Sequence, residues 1–165
     1  MAIAYLGLGS NLGNRLAFLR GGRDRLTNRF AITLLHSSGV YETAAVGGPA
    51  DSPPYLNAVL EVATALSPRD LLAACLAVEA EFGRTRPEPW APRTLDIDLL
   101  LYGDAVIDAD GLQLPHPRLH ERAFILAPLS ELAPDQVHPV LQQTIRALTA
   151  TLPPGPGLVA LQATW

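Results

Sequence analysis

The chain has 165 residues, 48% of them apolar and 17% charged, which suits one globular domain and excludes a disordered chain. A formal net charge of −4 argues against nucleic acid as a partner. All twelve basic residues are arginines, which excludes a lysine-bearing phosphate loop and lysine Schiff-base chemistry; phosphate must be met by arginine, histidine, backbone amides or a metal.

Ala2 to Leu8 predicts a buried first strand. Gly9-Ser10-Asn11-Leu12-Gly13 then predicts a tight turn, and the spacing GxGxxxG is wrong for a dinucleotide fingerprint. Asn14 caps a helix to Thr27 that carries Leu16, Leu19 and Leu26 at helical spacing. Ile32 to Glu42 predicts one strand, Thr43 to Pro54 a Gly/Pro-rich loop, and Tyr55 to Thr64 another strand. In that strand Tyr55, Asn57, Val59 and Glu61 share one face, and Leu56, Ala58, Leu60 and Val62 the other.

Ser67-Pro68-Arg69-Asp70 is a helix start, with Ser at the N-cap, Pro first and an acid in the first turn; the helix runs to Phe82, and Gly83 ends it. The single cysteine, Cys75, lies among leucines in this helix and reads as a buried apolar residue. Being alone, it excludes an internal disulfide and a multi-cysteine zinc site. Arg84 to Arg93 is a loop with three prolines, and Thr94 to Tyr102 a strand. Short strands follow near Val106 and Leu112 to Leu114, helices over His120–Leu126 and Leu141–Ala150, and a last short strand or tail before Trp165. Consecutive strands among irregularly placed helices predict an α+β fold with an antiparallel or mixed sheet. No linker divides the chain, so 1–165 reads as one domain. No stretch reaches the roughly 20 apolar residues of a membrane span, and Met1 to Gly9 has no signal-peptide pattern, so the expected location is cytoplasmic.

The strongest chemical signal is Arg93-Thr-Leu-Asp96-Ile-Asp98-Leu-Leu-Leu-Tyr102. On a strand Asp96 and Asp98 share a face about 6.5–7 Å apart, with Leu95, Ile97, Leu99 and Leu101 on the other. Paired carboxylates suit Mg²⁺ bridged to phosphate oxygens, although as a bare pattern they are more often a solvated strand edge, and it is their neighbours that favour the metal. Arg84, Arg86 and Arg93 stand within fifteen residues of them, ready to neutralise phosphate charge or to form ion pairs with those same acids. Trp90, in the Pro-rich loop, fits a lid or stacking partner as well as simple packing. Pro115-His116-Pro117 holds one imidazole between two prolines, and Arg118 and Arg122 nearby point to an anion. His36, His120 and His138 lack such framing and read as structural.

Six segments in order resemble the 6-hydroxymethyl-7,8-dihydropterin pyrophosphokinase family of folate biosynthesis. They are Ala4 to Gly13, Tyr41-Glu-Thr43, Tyr55-Leu-Asn-Ala-Val59, Gly83-Arg84-Thr-Arg86, Trp90 to Asp98 and Pro115 to Phe124, and the likeness spans residues 2 to 140. The resemblance implies an α/β/α sandwich with a ferredoxin-like core and transfer of pyrophosphate from ATP to the pterin hydroxymethyl group. It implies two Mg²⁺ held by Asp96 and Asp98, and the pterin between Tyr55 and Phe124, read by Asn57, with Thr43 and Val46 completing that pocket. It assigns the nucleotide to Glu79, Arg84, Arg86, Trp90, Arg93, Leu99, His116 and Arg122. Arg84, Arg93 and Asp98 act in catalysis, Asp98 as acceptor of the substrate hydroxyl proton. A monomer is expected.

The sequence departs from the family at loops. Pro87-Glu-Pro89 replaces basic residues before Trp90, Ala91 replaces a Gly, Ala44 or Ala45 stands where a Pro is frequent, and a Gln near Ser52 is missing. These predict a stiffer, less cationic loop. Two other readings compete: another nucleotide- and metal-using enzyme of the DxD kind, such as a nucleotidyltransferase, which needs no pocket at Tyr55, Asn57 and Phe124, and a ligand-binding module without turnover.

Overall fold

A computed structural model describes residues 1–44, 53–83, 94–153 and 158–165. Eight strands and four helices follow in the order β1(Ala2–Ser10), α1(Arg15–Arg29), β2(Ile32–Ser37), β3(Val40–Thr43), β4(Tyr55–Thr64), α2(Pro68–Glu81), β5(Asp96–Tyr102), β6(Ile107–Ala109), β7(Leu112–Leu114), α3(Ala123–Leu132), α4(Ile145–Thr151) and β8(Val159–Gln162). The main sheet runs β5-β1-β4-β3-β8, with β2 also on β4, and every pairing in it is antiparallel. Counting β2 and β3 as one arm, the chain from β1 to β5 is a βαββαβ unit in strand order 4-1-3-2, the ferredoxin-like arrangement the resemblance implied. The hairpin β6–β7 stands apart from this sheet.

Helices cover both faces. Leu19 and Leu26 of α1 and Leu71, Ala74, Cys75 and Val78 of α2 pack on Leu6, Leu8, Leu60, Val62, Ile97 and Leu99. Ile125, Leu126 and Leu129 of α3 and Ile145 and Leu148 of α4 pack on Tyr5, Val59, Leu100 and Leu101. Each fully buried leucine contributes roughly 1.5–3 kcal/mol relative to exposure, so the two cores tie three layers into an α/β/α sandwich. Strands buried on both faces explain why β4 is buried almost throughout.

Local signals explain the helix ends. The Asn14 side chain accepts from the Ala17 amide, Ser67 from Asp70 and Thr144 from Ala147, each capping its helix. Pro68 sits in the first turn of α2, and Gly83 follows its end at φ +73°. Gly22, inside α1, meets the sheet closely: a Cβ there would come 2.8 Å from Leu95.

Five features differ from the sequence expectation. β1 continues through Gly9 to Ser10, so the turn is shorter than Gly9 to Gly13. The strand expected over Ile32–Glu42 breaks at Ser38-Gly39, where the Ser38 hydroxyl replaces a backbone acceptor for the Val59 N–H. The Gly39 N–H turns away to Glu131 of α3. On β5, Leu6 pairs with Leu99 and Tyr5 with Leu101, leaving Leu100 as an extra residue. That bulge moves Leu101 to the α3/α4 face, away from Ile97 and Leu99. Finally, a 3-10 turn over Leu119–Glu121 precedes α3, which runs on to Leu132, and α4 begins only at Ile145 because His138 to Gln142 forms a turn around the His138 ring nitrogen.

Candidate active site

The site grows from one cross-strand row. Gly9 of β1 pairs with Asp96 of β5 on one side and Asn57 of β4 on the other, and Asn57 pairs in turn with Tyr41 of β3. Directly paired residues share a face, so a carboxylate and an amide look outward from the same side with only a glycine between them. Two strand spacings separate them, about 9.5 Å. Asp98 pairs with Gly7 in the next same-face row. The two glycines keep β1 from raising a side chain between the acids and the amide; a Cβ on Gly9 would come 3.1 Å from the Asn57 amide oxygen and 3.7 Å from the Tyr55 ring. Two glycines two apart, Gly7 read in the strand and Gly9 in the turn after it, were the signal for this open floor.

Asn57 is 8% exposed, and among the described residues its Nδ2 has no hydrogen-bond partner. A buried amide donor left unsatisfied costs roughly 1–3 kcal/mol. Tyr55 is half-buried two residues earlier on the same face. Thr43 is buried at the end of β3, opposite Tyr55, and its hydroxyl donates to Ala44 O at 3.1 Å. The neighbouring chain is held by the β1–α1 turn: Asn11 Nδ2 donates to Pro53 O, and Arg15 donates to Pro54 O while pairing with Glu42 at 2.9 Å. Phe124 opens α3 half-buried, with the Arg122 guanidinium 5.6 Å from its ring centre.

β5 is the end strand of the sheet order, and the site lies along it. Asp96 and Asp98 are half-buried on the α3 side. The His116 N–H donates to Leu100 O at 2.9 Å, so the bulge carbonyl fastens the Pro115–Pro117 segment beside the carboxylates. The His116 Nδ1 accepts from the Arg118 N–H, which leaves the ring proton on Nε2. Burial, then the Arg122 charge, pulls the His116 pKa down to about 4; Asp96 opposes this and Arg118 adds to it. The histidine is therefore a neutral Nε2–H donor at neutral pH, within electrostatic reach of both Arg122 and Asp96.

Two further residues that the resemblance assigned to the nucleotide have buried side chains. Leu99 points its side chain into the α1/α2 core, leaving only its backbone near the sheet edge. Glu79 is buried in α2, and its Oε2 accepts from the Ile97 N–H at 2.8 Å. Val46, Arg84, Arg86, Trp90 and Arg93 lie outside the described residues. So the structure brings together Asp96, Asp98, His116 and Arg122 along β5, and Thr43, Tyr55 and Asn57 across β3 and β4.

A hard divalent cation fits this donor set. Two carboxylates of one strand offer oxygen ligands of the kind Mg²⁺ takes one or two at a time, leaving the rest of its shell to water and phosphate. Among the described residues there is no group of three or more His, Cys, Asp or Glu that could hold a metal ion.

The fold and site define a ferredoxin-like α+β domain with a carboxylate pair beside a histidine and arginine. The sequence pattern of the 7,8-dihydro-6-hydroxymethylpterin-pyrophosphokinase (HPPK) family matches residues 5–134. A 2-amino-4-hydroxy-6-hydroxymethyldihydropteridine pyrophosphokinase of Methylorubrum extorquens is 42% identical over 154 residues, 93% of this chain and 96% of that one. The protein of the same name from Bacillus subtilis is 44% identical over 130 residues, 79% of this chain and 77% of that one. Among solved structures, an HPPK-DHPS in complex with substrates aligns with a TM-score of 0.72 at 15% identity, covering 91% of this chain. Wild-type HPPK-DHPS of Plasmodium falciparum aligns at 0.70 and 16%, covering 90%. This chain spans 43% and 44% of those two, and at such identity they support the fold alone. The chain belongs to the HPPK family of folate-pathway pyrophosphokinases.

Proposed function

We infer that this chain transfers pyrophosphate from ATP to the hydroxymethyl group of 6-hydroxymethyl-7,8-dihydropterin, giving AMP and the pterin diphosphate. The observation that carries the reading is the row Asp96–Gly9–Asn57 with its unsatisfied buried amide. A flat ring bonded by Asn57 and stacked by Tyr55 and Phe124 can direct a substituent toward the carboxylates about two strands away. Thr43 and Val46 line the ring's other edge.

Asp96 and Asp98 would hold two Mg²⁺, which when bound with ATP neutralise charge on the phosphate oxygens. His116 donates from Nε2 to the phosphate chain, and Arg122 pairs with it. Arg84, Arg86 and Arg93 bind the triphosphate, Arg84 and Arg93 spreading the charge that grows during transfer, and Trp90 stacks at the nucleotide. A carboxylate oxygen of Asp98 accepts the proton of the pterin hydroxyl. The pterin hydroxyl oxygen forms the bond to the β-phosphorus while the bond from the β-phosphorus to the α–β bridging oxygen breaks, and AMP leaves carrying that oxygen. The domain spans residues 1–165, acts as a monomer and works in the cytoplasm; no helix among the described residues is long and apolar enough to cross a membrane.

Chromatography of nucleotide products after incubation with Mg-ATP and the pterin tests the reading. AMP should appear one-for-one with pterin diphosphate, and neither should form without the pterin. ADP as the main product means ordinary γ-phosphoryl transfer and refutes it.

A further inference from the structure

Glu79 is 1% exposed, and a charged side chain so buried needs a strong reason to be there. Its place in the fold supplies one. β5 is the end strand of the sheet order; among the described residues it pairs with β1 on one side only, so alternate N–H groups of β5 point away from β1. The Ile97 N–H is such a group, and Ile97 itself is buried beneath α2. Left unpaired there, it would carry the full cost of a buried donor. Glu79, in the last turn of Pro68–Glu81 and one turn after Cys75 on the buried face, reaches it at 2.8 Å.

Ile97 is the residue between Asp96 and Asp98. Fixing its peptide fixes the pitch of both flanking carboxylates, because adjacent strand residues share that backbone. We propose that Glu79 is a positioning residue: by holding the Ile97 N–H it keeps Asp96 and Asp98 at the spacing a cation–triphosphate complex requires, without itself touching the nucleotide. This rests on the assignment of Asp96 and Asp98 as cation ligands.

Glu79→Met removes the acceptor and fills the buried space with an apolar chain of like length, while Glu79→Gln keeps an acceptor and removes the charge. The probe is Mn²⁺ with a non-hydrolysable ATP analogue, followed by electron paramagnetic resonance, alongside amide hydrogen exchange at Ile97. Glu79→Met should weaken Mn²⁺ binding at least tenfold and speed Ile97 exchange at least tenfold; Glu79→Gln should stay within about threefold of the parent in both. Equal impairment in the two variants would mean that charge, not position, matters, and overturns the proposal, as does a Glu79→Met protein that binds normally. In the unaltered protein, a through-hydrogen-bond coupling from the Ile97 N–H to the Glu79 carboxyl carbon is expected, and its absence overturns the proposal without any variant. Asp96→Asn and Asp98→Asn are the controls: if neither weakens Mn²⁺ binding, the cation assignment fails, whereas Ile97 exchange still reports on the Glu79 bond.

Discussion

Gly9 and Asn57 face each other directly across β1 and β4, and a Cβ on Gly9 would sit 3.1 Å from the Asn57 amide oxygen. The amide would have to give way by a few tenths of an ångström, and Asn57 is the group that would read a flat ring. Gly9→Ala should therefore weaken pterin binding about tenfold, roughly 1.4 kcal/mol, with nucleotide binding unchanged. Isothermal calorimetry with each ligand separately checks this, and an equal loss for both would refute it.

Asp96→Asn and Asp98→Asn should each remove more than nine-tenths of the activity, a barrier increase above about 1.4 kcal/mol, while circular dichroism stays that of the parent. Both acids are half-buried at the end strand and carry no part of either core, so the fold should tolerate the change. Retained activity above a tenth in either variant would remove that aspartate from the metal assignment.

Tyr55→Ala and Phe124→Ala should weaken the pterin far more than ATP. Each stacked ring contributes roughly 0.5–1.5 kcal/mol beyond buried area. Phe124 also packs against the α3/α4 core, so its variant should lose some thermal stability as well, whereas Tyr55→Ala should lose little. Calorimetry on both ligands, with a melting curve for each variant, separates these effects.

His116 should stay uncharged down to low pH. Its folded pKa of about 4 lies below the ordinary 6.5, so the folded protein binds fewer protons than the unfolded chain between those values. The stabilisation linked to its neutral ring is complete above pH 6.5 and is lost as pH falls through about 4. Ring ¹⁵N shifts of the metal-free protein should hold constant from pH 8 to 5.5 and move only near 4; a transition at 6 or above would refute the burial and Arg122 account.

Much of this was legible from residue order. Helix α2 announces itself because Ser67, Pro68 and Asp70 each satisfy a local need of a helix start, and local needs are what a sequence states most clearly. The Asp96/Asp98 pair was legible because side chains two apart on a strand share a face whatever surrounds them. What escaped depends on partners far along the chain. The break at Ser38-Gly39 exists because Glu131, 92 residues away, takes the Gly39 N–H, and because β8 lies so near that a Gly39 Cβ would meet Gln162 O at 2.9 Å. Glu79 could not be placed from α2 alone, since its role follows from β5 lying at the end of the sheet. Gly9 read as a turn residue because glycine marks turns far more often than strand floors. The arginines and tryptophan expected between Arg84 and Arg93 lie outside the described residues.

The bulge at Leu100 splits β5 into two reading frames. Before it Ile97 and Leu99 alternate with the carboxylates and face the α1/α2 core, and after it Leu101 faces the α3/α4 core. A length change beyond that point would be absorbed in the hairpin, whereas one before it would turn Asp96 and Asp98 into the leucine core. Variation between relatives in this stretch should therefore gather on the hairpin side, leaving the acid pair under separate selection from the loop that follows it by only a few residues.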